Sequence, residues 1–176
     1  MHTKLQKEFN RLETERKNLF ADLKQYSDEL LNKKPKPEAW SVAEVLAHIM
    51  AAEGYSLKYL QKKVLNTAES GNETLKHKWR WLLVQSVFTF DIKFKAPDIV
   101  EPKIGFVTLA ELDSQWSTTR SETEKILNAL SDTEVNKTLW KHAVAGKMNL
   151  HHMVDFFGIH SRRHKKQIAR TLAAVK

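Results

Sequence analysis

Apolar residues recur along this chain at the three- and four-residue intervals that are typical of amphipathic α-helices. The first segment alternates these steps over nearly four heptads and predicts one long helix, with seam positions Leu5, Phe9, Leu12, Arg16, Leu19, Leu23, Tyr26 and Leu30. Only Arg16 breaks the seam. We interpret it as an arginine that extends its charged end to solvent, as a member of a buried ion pair, or as a cation that faces a substrate.

Two capping boxes mark the starts of two further helices. Ser41 and Glu44 begin a helix whose apolar face continues to Val64, and His48 lies beside that face in the first two turns. Thr108 and Glu111 begin another helix, in which apolar residues follow a three–four pattern up to residue 130. The sequence therefore predicts where each of these helices begins.

The segment between these two helices predicts a helix followed by an extended crossover. A helical pattern covers residues 75–87, and apolar and polar residues alternate from Phe88 onward. Alternation of this kind is typical of extended chain. Because Pro97, Pro102 and Gly105 follow, residues 88–107 are predicted to form a long crossover that packs its aromatic side chains on the helices and lines a binding site.

The C-terminal part of the chain predicts one last long helix. Asn149 is its predicted cap, and the helix is expected to run to about Ala174. Residues 131–134 suggest a short turn, and residues 135–148 are irregular, with Gly146 at a natural turn position. Together the patterns predict an all-α fold: an up-down-type four-helix bundle with one long crossover loop, formed by residues 1–176 as a single domain.

Two histidines occupy core positions of this last helix. His160 and His164 are four residues apart, so their imidazoles lie one turn apart on the same face and can reach one metal ion. His48 offers a third ligand from another helix. Three neutral imidazoles leave coordination positions open, as catalytic sites do, and nitrogen ligands favour zinc or nickel, with iron or manganese also compatible. The alternative is that the histidines are ordinary core residues with satisfied hydrogen bonds.

Other polar side chains near these histidines are weaker candidates. Glu53 is the one candidate for a catalytic residue, and its side chain is expected to point either into the cleft or to solvent. Gln167 is interpreted as a partner of a metal ligand or as a surface amide. His151 and His152 lie too far from the other histidines of their helix to share a metal, and His142 precedes that helix. These three are expected to be capping or surface groups.

Composition and charge limit the kinds of site and the cellular location that are compatible with this sequence. The chain has no cysteine, so disulfides and thiolate metal sites are excluded, and a cytoplasmic location is expected. No apolar run approaches the ~20 residues of a membrane span. The net charge is +8, and no acidic residue follows Asp155. We interpret the basic C-terminal segment as a solvated helix face, because no glycine-rich or aromatic-interleaved pattern supports nucleic-acid binding.

Several motifs, in this order and spacing, resemble the DinB/YfiT-like superfamily over almost the whole chain. They are WSVAEVLAH at 40–48, FKAP at 94–97, EP at 101–102, HxxxGKMN at 142–149 and HxxxHxxQI at 160–168. The resemblance implies a four-helix bundle with a divalent metal held by three histidines, which by position are His48, His160 and His164. It also implies a transferase or isomerase that uses a low-molecular-weight thiol, or a metal-dependent hydrolase; many members have no known activity.

Two classes of function follow from these observations. The first is a metal-dependent enzyme that transfers a thiol to, or hydrolyses, a small electrophilic substrate. The second is a non-catalytic bundle with idle histidines that acts through homodimerisation or binding of another partner. A third class, nucleic-acid binding through the basic face of the last helix, is disfavoured. Metal content separates the first two classes, and salt dependence of binding would test the third.

Overall fold

The computed structural model describes residues 3–89 and 97–176. Within these ranges the chain forms seven α-helices, a two-stranded antiparallel sheet and two short 3-10 helices. The helices are α1 Thr3–Leu23, α2 Asp28–Asn32, α3 Val42–Val64, α4 Leu75–Thr89, α5 Leu109–Ala129, α6 Asp132–Val135 and α7 Leu150–Val175. The strands are β1 Trp140–His142 and β2 Gly146–Met148, and the 3-10 helices are Thr67–Glu69 and Asp98–Val100. The predicted all-α class is confirmed.

Four long helices, α1, α3, α5 and α7, form the bundle. Helix α1 packs against α5 and α7, and α3 packs against the same two helices. One core cluster joins the starts of α1 and α7 to the ends of α3 and α5, and a second cluster joins the opposite ends. The helix directions are therefore up, down, down, up. Because α3 and α5 run parallel, a long crossover must connect them, and this crossover carries α4.

The predicted helix starts are confirmed by their hydrogen bonds. Ser41 N–H donates to the Glu44 carboxylate at 2.8 Å, and Glu44 N–H donates to Ser41 Oγ at 3.1 Å. Thr108 and Glu111 form the same reciprocal pair at the start of α5. Asn149 caps α7 by accepting a bond from the backbone N–H three residues later. Each cap satisfies N–H groups that have no partner within the helix.

The prediction of one continuous first helix to Leu30 is wrong. Helix α1 ends at Leu23, and α2 begins separately after its cap Ser27. The break allows tertiary contacts, because it places Asp28 and Asn32 beside the end of the crossover. Asp28 accepts a hydrogen bond from the backbone N–H of residue 109, and Asn32 exchanges hydrogen bonds with the backbone of residue 107.

Two other segments differ from the prediction. Residues 135–148, predicted as irregular, contain the β1–β2 hairpin, whose turn needs the left-handed backbone of Gly146 at φ 81°. The short turn predicted at residues 131–134 is the four-residue helix α6. Phe88 belongs to the last turn of α4 rather than to extended chain. Its ring nevertheless packs on the bundle, as expected, with centroids 5.7 Å from Phe156 and 5.9 Å from His160. Residues 90–96 of the predicted crossover lie outside the described residues.

Helix α4 is apolar on two opposite sides. Its inner side packs against α7 and buries Trp81 and Val84. Its other side, which we call the α4 outer face, carries the exposed residues Leu75, Trp79, Leu82 and Leu83. None of the helices in the described part of the chain is both long and apolar enough to span a lipid bilayer.

Candidate metal centre

Helices α3 and α7 bring the three predicted histidines together. His160 Nε2 lies 3.2 Å from His48 Nε2 and 3.1 Å from His164 Nε2. All three side chains are buried, and in the described part of the chain they form a group whose candidate ligand atoms lie within 4.8 Å of one another. The antiparallel packing of α3 on α7 makes this possible, because it sets the second turn of α3 beside the middle of α7.

The outward nitrogens of two of these rings have fixed partners. His48 Nδ1 lies 2.8 Å from the carbonyl oxygen of Val100, and His164 Nδ1 lies 2.8 Å from Gln167 Oε1. Both oxygens accept, so both Nδ1 atoms carry the proton and both Nε2 atoms present lone pairs to the centre. Gln167 is thus a partner of the candidate ligand His164 rather than a surface amide.

This arrangement of nitrogens fits a divalent cation. If His160 Nε2 carried a proton, it could donate a well-aligned hydrogen bond to only one of the two facing nitrogens, Nε2 of His48 or Nε2 of His164. A tetrahedral zinc ion with nitrogens about 2.0–2.1 Å away would set those nitrogens about 3.4 Å apart, close to the distances found here. Nδ1 of His160 has no hydrogen-bond partner among the described residues, and its ring is held by stacking on Phe156 at 5.1 Å.

Burial favours the neutral form of His48 and His160. It lowers the pKa of His48, and the hydrogen bond to the Val100 carbonyl opposes this shift only in part. Burial also lowers the pKa of His160 well below its usual value, and the neighbouring His164, His48 and Arg163 add to that effect. Metal ions bind the deprotonated nitrogen, so the environment holds these side chains in the form that a metal requires.

Aromatic side chains surround the centre on the described sides. Trp40 lies 5.0 Å from the ring of His48, and the rings of Phe88 and Phe156 lie against His160. These walls lower the local dielectric and so strengthen electrostatic interactions inside the site. Phe88 is the first residue of the segment that was predicted to line a binding site. The contact of Phe156 with His160 was not predicted, although Phe156 stands one helical turn before that histidine.

Glu53 does not point into the cleft or to solvent, contrary to both alternatives predicted for it. Its carboxylate is buried and accepts hydrogen bonds from Arg120 Nε at 2.5 Å, Arg120 Nη2 at 2.7 Å and Trp116 Nε1 at 2.9 Å. Arg120 was not among the residues identified from the sequence. The available signal was its position one turn after Trp116, on the buried stripe of α5.

Arg16 is buried and forms ion pairs with partly exposed carboxylates, which is nearest to the second of its three interpretations. Its guanidinium donates to Asp113 on α5 and, at 3.2 Å, to Glu13 on its own helix. The arginine therefore joins α1 to α5 instead of reaching solvent. Charge pairing of this kind is how a buried guanidinium is tolerated in a helix seam.

Three further histidines, His142, His151 and His152, lie apart from this group. His142 is buried, and its Nδ1 accepts hydrogen bonds from the backbone N–H groups of Val144 and Ala145, so it closes the hairpin turn rather than lying at the surface. His151 contacts Glu8, and His152 stacks on a tryptophan of α4. None of the three belongs to the metal-compatible group found among the described residues.

The fold and the site together define a helical-bundle protein with a buried histidine group that can hold a metal ion. This chain belongs to the DinB superfamily, whose family model matches residues 11–168. It is similar to the uncharacterized protein YuaE of Bacillus subtilis (strain 168), with 27% identity over 147 residues that cover 84% of this chain and 86% of the relative.

Proposed function

We propose that this protein is a metal-dependent enzyme in which His48, His160 and His164 hold one divalent ion. The observation that carries the proposal is that His160 Nε2 lies 3.2 Å from His48 Nε2 and 3.1 Å from His164 Nε2, with Nδ1 of the latter two rings already bonded to oxygen. An all-nitrogen ligand set favours zinc or nickel over iron or manganese. We also propose that the enzyme acts in the cytoplasm.

The proposed reaction is attack by a low-molecular-weight thiol, or by water, on a small electrophilic substrate. A divalent ion bound by three imidazoles supplies Lewis acidity at its open positions, which lowers the pKa of a thiol or a water molecule there. The Val100 carbonyl and Gln167 orient two of the ligand rings. Trp40, Phe88 and Phe156 shield the described sides of the site from water.

Glu53 supports this proposal as a structural residue rather than as a general base. Its two carboxylate oxygens are engaged by Arg120 and Trp116, so an acceptor for a substrate proton must come from elsewhere. A thiol whose pKa was lowered by the ion would release its proton to solvent water, so the thiolate nucleophile would form without a protein base.

The first test is the metal content of protein purified without a histidine tag, before and after treatment with a chelator. We expect about one equivalent of divalent metal per chain, removed by the chelator with a fall in melting temperature. His160→Ala is expected to abolish binding, and His151→Ala, on the same helix but outside the group, is expected to retain it. Full metal occupancy in His160→Ala would overturn the proposal.

The exposed α4 outer face favours a second candidate function, that of a non-catalytic bundle that acts by association. The same experiment separates the two candidates. A protein that is purified without metal, gains none on addition and keeps its melting temperature in chelator would support the second. A metal-loaded protein would next be screened with thiols and electrophiles for turnover.

A further inference from the structure

Arg163 lies on α7 between the two candidate ligands His160 and His164. Its guanidinium carbon is 5.4 Å from the centroid of the Phe88 ring. The same Phe88 ring lies 5.9 Å from the ring of His160. Phe88 therefore contacts both the arginine and a candidate metal ligand, and the positive charge of Arg163 stands at the edge of the centre.

The charge of Arg163 acts on this centre. It is one of the groups that lower the pKa of His160, after burial and the two neighbouring histidines. The arginine is partly buried, so water and salt screen its field less than they screen that of an exposed cation. Contact with an aromatic ring holds a guanidinium in place, and its N–H groups donate in its own plane. Such a group is suited to recognising a planar carboxylate.

The carboxylates of the two ligand-bearing helices are engaged elsewhere. Helix α3 carries Glu44, which caps its own helix, and Glu53, which pairs with an arginine of α5. Helix α7 carries only Asp155, whose pKa is raised by burial and by Glu8 of α1, so it lies toward α1. The charges of a divalent ion and of Arg163 would then add, with no carboxylate from these two described helices to offset them. An anionic ligand would balance them.

We propose that Arg163 makes the candidate metal centre selective for ligands that carry a carboxylate. The guanidinium pairs with the carboxylate while a metal-binding atom of the same ligand reaches the ion. This inference rests on the proposed function, and it adds the charge of the molecule that the site accepts.

Cobalt(II)-loaded protein provides the test, because a thiolate bound to cobalt gives a charge-transfer absorption band that reports binding directly. The probes are mercaptoacetate and 2-mercaptoethanol, which share a thiol and differ in the carboxylate. We expect the wild type to bind mercaptoacetate about ten times more tightly than 2-mercaptoethanol, the gain from one charge-assisted bidentate pair. Equal affinities in the cobalt-loaded wild type would refute the proposal.

Arg163→Met removes the charge and keeps an unbranched apolar side chain against Phe88. Its affinity for mercaptoacetate should fall about tenfold, to the level of 2-mercaptoethanol, whose own affinity should not change. Arg163→Lys keeps the charge without the planar fork and should retain part of the preference. A preference that persisted in full in Arg163→Met, as chelation of the ion by both groups of mercaptoacetate would give, would contradict the role of Arg163.

Arg162→Met is the matched control for these variants. Arg162 precedes Arg163 on the same helix, but its guanidinium bonds to Glu15 of α1. The variant removes the same charge from a position that does not contact the centre. It should bind both probes as the wild type does, and loss of the mercaptoacetate preference in this variant would show that the overall charge of the helix, rather than Arg163, sets the selectivity.

The affinity for cobalt separates this role from a structural one. Removal of a cation beside the centre lessens its repulsion of a divalent ion, so Arg163→Met should bind cobalt at least as tightly as the wild type. Weaker cobalt binding by that variant would show that the arginine supports the fold of the site instead. A wild type that bound no cobalt would refute the metal centre itself, whereas a loaded protein without preference between the probes would refute only the selectivity.

Discussion

Glu53 of α3 and Arg120 of α5 form a buried bidentate ion pair between the two parallel helices of the bundle. The guanidinium Nε and Nη2 lie 2.5 and 2.7 Å from the two carboxylate oxygens, and the residues are only 1% and 2% exposed. Trp116 and Glu13 complete the set of partners. The pair joins two helices that the long crossover keeps far apart in sequence, and it accounts for a carboxylate that sequence reasoning had considered for catalysis.

Glu53→Gln should lower the free energy of unfolding by about 3 kcal/mol, because Arg120 would stay buried with only Glu13, at 3.3 Å, as a charged partner. Urea denaturation measures the change. In the double variant Glu53→Leu/Arg120→Met, the loss should be smaller than the sum of the two single losses. Metal stoichiometry should stay at the wild-type value in folded Glu53→Gln, and loss of the metal from that folded variant would contradict a structural role.

Gln167→Ala should weaken divalent-metal affinity about 10- to 100-fold, since Gln167 orients His164 through the Nδ1–H···Oε1 bond. Competition with a chromophoric chelator measures the dissociation constant. Gln167→Glu keeps an acceptor oxygen and should restore most of the affinity. Lys166→Ala, at the neighbouring exposed position, is the control and should bind as the wild type does. Equal affinities for Gln167→Ala and the wild type would show that the contact does not position the ligand.

The metal-free protein should lose stability as the pH falls from about 6.5 to about 4. Burial lowers the pKa of His142 to about 4, so over this range the unfolded chain takes up a proton that the folded chain does not. The neutral His142 therefore contributes its full stabilisation above the pKa of the unfolded state, about 6.5. This stabilisation, on the order of 3 kcal/mol, is lost as the pH falls to the pKa of the folded state, about 4.

His142→Asn isolates this effect. The amide oxygen can still accept the N–H groups of Val144 and Ala145, but it does not titrate. The free energy of unfolding, measured by urea at a series of pH values, should depend less steeply on pH in the variant than in the wild type. His152, whose pKa burial also lowers to about 4, contributes the same slope to both proteins. Identical slopes would argue against a buried neutral His142.

Two glycines should respond to alanine with opposite signs. Gly146 has φ 81° in the hairpin turn, so Gly146→Ala should cost about 1–2 kcal/mol of stability from backbone strain. Gly54 lies within α3, and no atom lies within 4 Å of a Cβ built there, so Gly54→Ala should stabilise by about 0.5–1 kcal/mol through helix propensity. Thermal or urea unfolding measures both, and a stabilised Gly146→Ala would contradict the turn geometry.

Local features of the sequence predicted the parts of this fold that depend on local contacts. In the capping boxes at Ser41 and Thr108, both hydrogen-bond partners lie within four residues of each other in the sequence. His160 and His164 lie on the same face because of helical spacing alone. The position of His48 beside these two residues depends on the antiparallel packing of α3 on α7. His48 was predicted as the third ligand from its residue type, its position in the first turns of a helix and the resemblance to a known family.

Other parts depend on contacts that the sequence does not encode locally. Glu53 and Arg120 are 67 positions apart, so no spacing rule pairs them. The break after Leu23 follows from contacts of Asp28 and Asn32 with the distant end of the crossover. The strands of the hairpin have three residues each, too few for a two-residue period to be recognised. Because α4 is apolar on two opposite sides, its sequence pattern could not show which side packs against the core and which side faces solvent.

The 112 positions between His48 and His160 have a kinetic consequence. An ion shared by these residues acts as a removable cross-link that closes a long loop of the chain, and it can form only after α3 and α7 have met. An interaction that is absent from the folding transition state acts mainly on the unfolding rate. Loading and removing the ion would then change the unfolding rate of the bundle far more than its folding rate, and the lifetime of the folded chain would follow the supply of metal.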